Sequence, residues 1–359
     1  MRLITGKKIA GIGRRLSERG FDAAVFVCSG ALEDKNVHYL TGLSGVQGGA
    51  VVLRDGNVLL LVNSLDYDRA IACAQADEII KAEGENLVKT IAERCAGAKN
   101  VGCVKGRLTA SAADALKRKG VRIKDVGDFM NEERASKEPR EIEAIEKCAG
   151  IANKGIKFLE GHLNKGMKES EVAAKLDLEL RMLGSERAPF ETIVSSGRRS
   201  AFIHPSPSAT QAKIGNGLGI VDFGATFSGY VCDVTVPFVV GKPSPRQEKM
   251  AGAVATAAKD ISGMLRPGAS TAEIHGAFKG CLLAAGLEVK HSAGHGIGLE
   301  VHEHPSLSAK PESILRRGMA IAVEPGAYVP GVGGFRIEND FIIMKNGCRK
   351  LTKSNLIRL

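Results

Sequence analysis

Apolar and polar positions in the first third of the chain alternate with a short period. Apolar runs at 22–28, 49–53, 58–62, 78–82, 100–104 and 121–125 predict strands, and helical patterns at 6–19, 64–76, 86–96 and 108–119 lie around and between them. The Asp55-Gly56-Asn57 segment between two apolar runs is typical of a hairpin turn. We therefore predict a compact α/β domain over residues 1–127.

The pattern changes after residue 127. Residues 128–139 are polar and charged and predict a linker, and Pro139 then opens a long helical pattern that continues to Leu163. A second helix is predicted at 169–184, and two more near 245–265 and 271–286. Strands and glycine-rich turns follow each helical pair. The order of helices, strands, helices and strands predicts an α+β domain over residues 140–359, in which a duplicated unit surrounds a curved antiparallel sheet.

Two of the predicted hairpins carry a pair of acidic residues. Asp222 and Asp233 flank a turn around Phe227-Ser228-Gly229, and Glu324 and Glu338 flank a turn centred on Gly331. In a regular hairpin each pair lies directly across two strands, about 4.5–5.5 Å apart at Cβ. A single acidic pair is typical of a solvated hairpin face. Two pairs inside apolar strands favour a site for two divalent cations, which offset four buried carboxylates.

The segment 290–305 holds four of the eight histidines of the chain. His295 lies between Gly294 and Gly296, so no bulky neighbour shields its ring from a metal ion or substrate. We predict that His295 supplies the nitrogen ligand of the acidic site.

Composition narrows the class of protein. The chain has 359 residues, a formal net charge of +10, and only 4% aromatic residues. The charge permits contact with nucleic acid, but no long basic block or RNA-binding motif is present, so a generally basic surface is favoured. The eight cysteines form no CxxC pair, which is typical of buried thiols in a reducing cytoplasm. No segment has the pattern of a signal peptide or a membrane span.

Four motifs, VDFGATFSGYVCD, GHGIGLEVHEHP, EPGAYVP and GGFRIEN, resemble those of the pita-bread metallopeptidases. This superfamily contains methionine aminopeptidase, aminopeptidase P and prolidase, and the resemblance covers essentially the whole chain. The predicted N-terminal domain is similar to that of the prolidase and aminopeptidase P branch, whose members cleave Xaa-Pro bonds. The positions that match the family's metal ligands are Asp222, Asp233, His295, Glu324 and Glu338.

The resemblance also implies a mechanism. A hydroxide that bridges two cations would attack the peptide bond, and Glu324 would accept its proton and pass it to the leaving nitrogen. His302 would stabilise the oxyanion, and His204 and His291 would contact the leaving-group side of the substrate. Tyr328 and Arg336 are candidate substrate-binding residues, and Arg336 could instead orient Glu338 or form a structural salt bridge. The carboxylate-rich ligand set favours manganese or cobalt, with zinc as the alternative.

Three positions depart from the family pattern. Val236 and Ser306 stand where an arginine is common, and Asn339 replaces an aspartate. The ligand set is intact, but a dipeptidase needs a cation for the free C-terminal carboxylate. We therefore predict an Xaa-Pro dipeptidase, with aminopeptidase P or a broader aminopeptidase as the alternative. The resemblance further implies a homodimer; a binding module without catalysis is the competing class.

Overall fold

The computed structural model describes residues 2–28, 33–82, 87–205, 211–310 and 312–359. The chain divides into two units, Met1–Arg134 and Ala135–Leu359. Residue 86, where a helix was predicted to begin, lies outside the described residues. Within the described part of the chain, no helix is long and apolar enough to cross a membrane.

The first unit is built on one mixed sheet. Its strands are β1 (Ala23–Cys28), β2 (Gly48–Leu53), β3 (Val58–Asn63), β4 (Glu78–Ala82), β5 (Asn100–Cys103) and β6 (Arg122–Asp125). Among the described residues they follow the order β4-β3-β2-β1-β5-β6, antiparallel where β1, β2 and β3 meet and parallel elsewhere. The predicted hairpin joins β2 to β3, where the Asp55 carboxylate accepts the Asn57 N–H at 2.9 Å.

Helices accompany this sheet. They are α1 (Gly6–Glu18), α2 (Lys35–Thr41), α3 (Tyr67–Cys73), α4 (Leu87–Arg94), α5 (Ala110–Arg118) and α6 (Gly127–Ala135). The hydrophobic pattern did not predict α2, because this helix has only seven residues and all from Asn36 to Thr41 are buried. Helix α6 occupies most of the segment predicted as a linker.

The second unit begins with two long helices, as the sequence predicts. They are α7 (Pro139–His162) and α8 (Glu169–Met182), and a second pair follows later in the chain as α9 (Pro245–Met264) and α10 (Thr271–Ala284). Pro139 lies in the first turn of α7, where its missing N–H costs no hydrogen bond. The Glu138 backbone N–H donates to the Glu141 carboxylate at 2.8 Å and fixes the start of this helix.

The strands of the second unit form sheets of mainly antiparallel strands. They are β7 (Ile193–Ser196), β8 (Gly217–Phe223), β9 (Thr226–Phe227), β10 (Tyr230–Val231), β11 (Val234–Val240), β12 (Gly294–Gly296), β13 (Glu303–Ser306), β14 (Ala320–Val323), β15 (Gly326–Val329), β16 (Gly333–Arg336), β17 (Asn339–Ile343), β18 (Cys348–Lys350) and β19 (Ile357–Arg358).

Two of these sheets matter for the site. Among the described residues, one has the order β19-β11-β8-β7 and the other β13-β12-β14-β17-β18. Helices α9 and α10 bury apolar side chains such as Val254 and Phe278 in one cluster with Ile321 and Phe341 of the second sheet. Burial of this kind stabilises by about 25 cal/mol per Å² of apolar surface. The packed sheets hold their strand ends, where the acidic residues lie.

A candidate metal centre

The five predicted ligands lie in or next to strands of the second unit. Asp222 lies near the end of β8 and Asp233 directly precedes β11. His295 is the middle residue of β12, Glu324 follows β14, and Glu338 lies between β16 and β17. Four of them are nearly inaccessible to solvent, and the Glu324 side chain is 18% exposed. All five line one cavity of about 420 Å³.

The first hairpin has a different register from the predicted one. Phe227 pairs with Tyr230 across Ser228 and Gly229, and both turn residues have positive φ, at 50° and 76°. A two-residue turn of this kind is centred between residues 228 and 229. Asp222 therefore pairs with Thr235. The prediction that Asp222 and Asp233 face each other directly is wrong, because Asp233 lies two positions from that partner.

The second hairpin has the predicted register. Gly326 pairs with Arg336 and Val329 with Gly333, so the ladder is centred on Gly331. The Ile337 N–H donates to the Pro325 carbonyl at 3.2 Å and continues the same register beyond the strands. Glu324 and Glu338 consequently occupy matching positions at the open end of this hairpin.

His295 places a ring nitrogen among three carboxylates. Its Nε2 lies 3.8 Å from Asp233 Oδ2, 3.8 Å from Glu324 Oε1 and 3.9 Å from Glu338 Oε1. Its Nδ1 lies 3.1 Å from the Gly296 carbonyl, which only accepts hydrogen bonds, so Nδ1 carries the proton. Burial lowers the pKa of His295 to about 3, so the ring is neutral at pH 7. Nε2 then presents a bare lone pair to the three acids.

The glycines around His295 are required by close backbone approach. A Cβ at Gly294 would lie 2.0 Å from the Ala322 carbonyl oxygen, and one at Gly296 would lie 2.4 Å from the His304 carbonyl oxygen. Strand β12 lies between β13 and β14, and both neighbours come this near. The Gly-His-Gly pattern is therefore explained by packing of the strand as well as by access to the histidine.

Arg336 supplies a cation on one side of the acidic cluster. Its buried guanidinium donates to Asp222 Oδ2, to Thr235 Oγ1 at 2.8 Å and to Tyr328 Oη at 2.8 Å. Its Nε lies 4.0 Å from Glu338 Oε2. The sequence left open whether Arg336 binds substrate, orients Glu338 or forms a structural salt bridge. In the structure it pairs with Asp222, and it also reaches Glu338 through the Thr235 hydroxyl.

The carboxylates raise one another's pKa values. Burial, followed by the charges of Glu338 and Asp222, raises the pKa of Asp233 well above its ordinary range. Burial, followed by Asp222 and Glu324, does the same for the pKa of Glu338. Burial raises the pKa of Glu324 to about 7, against the opposing effect of Arg336. In the metal-free protein these acids therefore bind protons more readily than exposed carboxylic acids do, and keeping all of them ionised requires additional positive charge.

The remaining predicted residues lie around this cluster at different depths. His204 and His302 line the cavity, and the His302 ring lies 4.3 Å from the His295 ring between centroids. Burial lowers the pKa of His302. His291 Nδ1 lies 3.9 Å from Glu324 Oε2. Among the described residues, the cavity lining includes neither His291 nor Tyr328, which contact each other edge to face.

Two polar residues in contact with the cluster were not singled out as site residues. Thr235 donates to Glu338 Oε2 at 2.7 Å and accepts from Arg336. Asp340 accepts the backbone N–H of Asp233 at 2.9 Å. Each lies two positions after a predicted ligand, on the same face of its strand. That period of two is the sequence signal that could have found them.

The residues fit a site for divalent cations. Oxygen and nitrogen atoms of Asp233, His295 and Glu338 all lie within 4.8 Å of one another. The Oδ1 atoms of Asp222 and Asp233 are buried and have no hydrogen-bond partner within the described structure. Buried carboxylate oxygens without donors are costly unless a cation satisfies them. Four carboxylates and one neutral imidazole are ligands that hard or borderline divalent cations accept.

Comparison with known proteins covers both units. The sequence matches metallopeptidase family M24 over residues 143–345 and the creatinase/prolidase N-terminal domain over residues 8–136. It is 33% identical to the Xaa-Pro dipeptidase of Pyrococcus horikoshii over 355 residues, which are 98% of each chain.

Solved structures have the same fold. The prolidase from Pyrococcus horikoshii OT3 superposes with a TM-score of 0.89 at 32% identity, covering 98% of this chain and 99% of that one. The X-Pro aminopeptidase from Thermotoga maritima MSB8 superposes with a TM-score of 0.85 at 26% identity, covering 96% and 99%. The predicted fold class, an N-terminal α/β domain followed by a pita-bread catalytic domain, is confirmed.

Proposed function

The chain belongs to metallopeptidase family M24, and on this premise we propose that it is an Xaa-Pro dipeptidase that uses two divalent cations. The observation that carries the proposal is the buried cluster in which the lone pair of His295 Nε2 faces three carboxylates at 3.8–3.9 Å. The similarity to an Xaa-Pro dipeptidase along 98% of the chain supports the substrate class.

Asp222, Asp233, His295, Glu324 and Glu338 would hold the cations. When bound, manganese or cobalt ions, or zinc as the alternative, would supply Lewis-acid activation of water and of the scissile carbonyl. The four carboxylates bring the charge that two divalent cations balance. His295 contributes its Nε2, because its Nδ1 proton is engaged with the Gly296 carbonyl.

Different residues of the chain would transfer protons and stabilise the charge that develops on the substrate. Glu324, the most exposed of the five proposed ligands at 18%, would accept a proton from the attacking water and pass it to the leaving nitrogen. His302 lies at the cavity wall, where an N–H can donate to the oxyanion. His204 in the same wall is proposed to contact the substrate. The proposed substrate contacts of His291, Tyr328 and Arg336 follow from the family resemblance alone.

Hydrolysis of defined peptides tests the proposal. Metal-stripped protein is given Mn²⁺, Co²⁺ or Zn²⁺ and then an Xaa-Pro dipeptide or an Xaa-Pro-Yaa tripeptide. We expect cleavage of the dipeptide, dependence on added metal, and at least a hundredfold slower turnover by Glu324→Gln, since a positioned acid or base contributes roughly 10²–10⁴. A metal-loaded protein that leaves every proline peptide intact would refute the proposal.

Aminopeptidase P activity is the alternative that a specific observation favours. Val236 is buried in β11, and neither Val236 nor Ser306 offers a cation for the free carboxylate of a dipeptide. The similarity to the X-Pro aminopeptidase from Thermotoga maritima MSB8 is consistent with this reading. Preferred cleavage of the tripeptide over the dipeptide would select the alternative.

Assembly and location complete the proposal. We propose a homodimer in the cytoplasm, from the family resemblance and from cysteines that are all free. Light scattering coupled to size exclusion measures the mass directly. A single species near 37.9 kDa would show a monomer and contradict the proposed dimer.

A further inference from the structure

Asp340 is a fifth buried carboxylate beside the proposed ligands and has no part in the proposed chemistry. Its relative exposure is 0%. One oxygen, Oδ2, accepts the backbone N–H of Asp233 at 2.9 Å, and the other has no hydrogen-bond partner within the described structure. Burying a charged or polar group costs free energy, so the presence of a carboxyl group at position 340 requires a physical explanation.

The position of Asp340 links two sheets. Asp340 belongs to β17 and pairs with Ala322 of β14, two positions after Glu338. Asp233 directly precedes β11 of the other sheet. One hydrogen bond therefore ties the backbone of a ligand from the first sheet to the strand that follows a ligand of the second sheet.

The backbone of Asp340 is held in place by the C-terminal segment. The Asp340 N–H donates to Thr352 Oγ1 at 2.8 Å, and its carbonyl accepts the Leu351 N–H at 2.8 Å. Thr352 is fully buried. The Asp340 backbone is thus fixed on its β18 side as well as in the ladder with β14, so its side chain reaches Asp233 from a rigid support.

We propose that Asp340 is a positioning residue for the metal centre, which sets the location of the Asp233 carboxylate relative to Glu338 by holding the Asp233 backbone. The inference rests on the proposed function, because it requires the five ligands to bind cations. Groups that orient a ligand typically change metal affinity by about 10–100-fold when they are removed. A purely structural cross-link between the sheets would change stability and leave the affinity unchanged.

Metal affinity, measured by isothermal titration of stripped protein with Mn²⁺ and with Co²⁺, is the readout. Asp340→Ala removes the acceptor, whereas Asp340→Asn keeps an oxygen for the Asp233 N–H and removes the negative charge. We expect Asp340→Ala to bind metal roughly 10–100-fold more weakly and Asp340→Asn to stay within about threefold of the original protein. The absorption bands of bound Co²⁺ should shift in the alanine variant only.

The control is another buried carboxylate that accepts a backbone N–H. Glu169 Oε1 accepts the Ser196 N–H at 2.9 Å, and its contacts involve none of the five proposed ligands. Glu169→Ala should lower the melting temperature and leave the metal affinity unchanged. Should Asp340→Ala not fold, Asp340→Ser, whose hydroxyl is too short to reach Asp233, carries the same expectation.

Each outcome either supports or overturns the positioning role of Asp340. Equal affinity in the original protein and in a folded Asp340→Ala overturns the positioning role. Equal weakening by alanine and asparagine also overturns it, since the charge would then act and not the hydrogen bond. If the original protein binds none of Mn²⁺, Co²⁺ and Zn²⁺, the last titrated in the same way, both the proposed function and this inference fail, whereas normal binding with unchanged variants refutes the inference alone.

Discussion

Replacing Arg336 with methionine should destabilise the metal-free protein far more than the metal-loaded protein. Among the residues that the structure describes, Arg336 is the one arginine or lysine that lines the cavity of the proposed metal centre, together with the four acidic residues proposed as ligands. Burial opposes the charge of Arg336, but Tyr328 and the carboxylates raise its pKa, so the guanidinium is charged. Methionine has a similar length and no charge, so the variant isolates the loss of the cation.

The magnitude follows from the contacts. Arg336 forms a buried ion pair with Asp222, and both side chains are at most 10% exposed. Removing one partner of a buried pair costs about 3–5 kcal/mol. Asp222 can bind a proton and relieve part of this cost, so the lower end is expected at acidic pH. With two divalent cations bound, mainly the hydrogen bonds to Thr235 and Tyr328 are lost, about 1–2 kcal/mol.

Thermal unfolding with excess chelator measures the loss of stability in the metal-free protein, and thermal unfolding with excess Mn²⁺ measures the loss in the metal-loaded protein. For a unit of the size of Ala135–Leu359, about 3–5 kcal/mol corresponds to a drop of roughly 6–20 °C. The matched control is Arg349→Met, which breaks the pair between Arg349 and Glu146, whose side chains are 50% and 36% exposed. A pair this exposed contributes less than about 1 kcal/mol. Equal losses for Arg336→Met with and without metal would refute the charge-balance reasoning.

Three further predictions concern single residues. His302→Ala should lower kcat for an Xaa-Pro peptide by roughly 10²–10³ with little change in melting temperature, because the side chain is exposed at the cavity wall; a loss below fivefold contradicts its role. Burial lowers the pKa of His291 to about 4, so the imidazole binds a proton more readily in the unfolded state than in the folded state. The free energy of unfolding of the metal-free protein should therefore decrease by up to about 3 kcal/mol as pH falls from 6.5 to 4. His291→Gln should reduce this slope of melting temperature against pH, and an unchanged slope contradicts the prediction. Gly294→Ala places a Cβ 2.0 Å from a carbonyl oxygen and should lower the free energy of unfolding, measured by chemical denaturation, by at least about 1–3 kcal/mol. Gly252→Ala is the control, because a Cβ there meets open space beside α9 and should not destabilise the protein.

The sequence predicted the long helices, whose hydrophobic period extends over several turns and whose ends carry strong signals. The helices at 139–162, 169–182, 245–264 and 271–284 agree with their predicted ranges to within about three residues. Ser244 caps α9 by accepting the Gln247 N–H at 3.3 Å, which is the kind of local signal that a sequence shows directly. The short helix α2, with no exposed face to mark a period, carries no such signal.

The sequence predicted the geometry of the candidate site only in part. The midpoint between Glu324 and Glu338 gave the register of the second hairpin because Gly331 is the centre of a symmetric three-residue loop. The same arithmetic failed for Asp222 and Asp233, since Ser228 adopts a positive φ that serine rarely takes. The contact of Arg336 with Asp222 joins residues 114 positions apart, and no local pattern encodes it.

The division of the acidic cluster between two sheets has a consequence for how an ion leaves. Asp222 and Asp233 belong to the hairpin around Ser228-Gly229, and Glu324 and Glu338 to the hairpin around Gly331. The ligands of an ion in the proposed centre would come from both hairpins, so a movement of one hairpin away from the other would break part of its coordination. The exchange of bound metal with a chelator would therefore report on breathing of the folded chain.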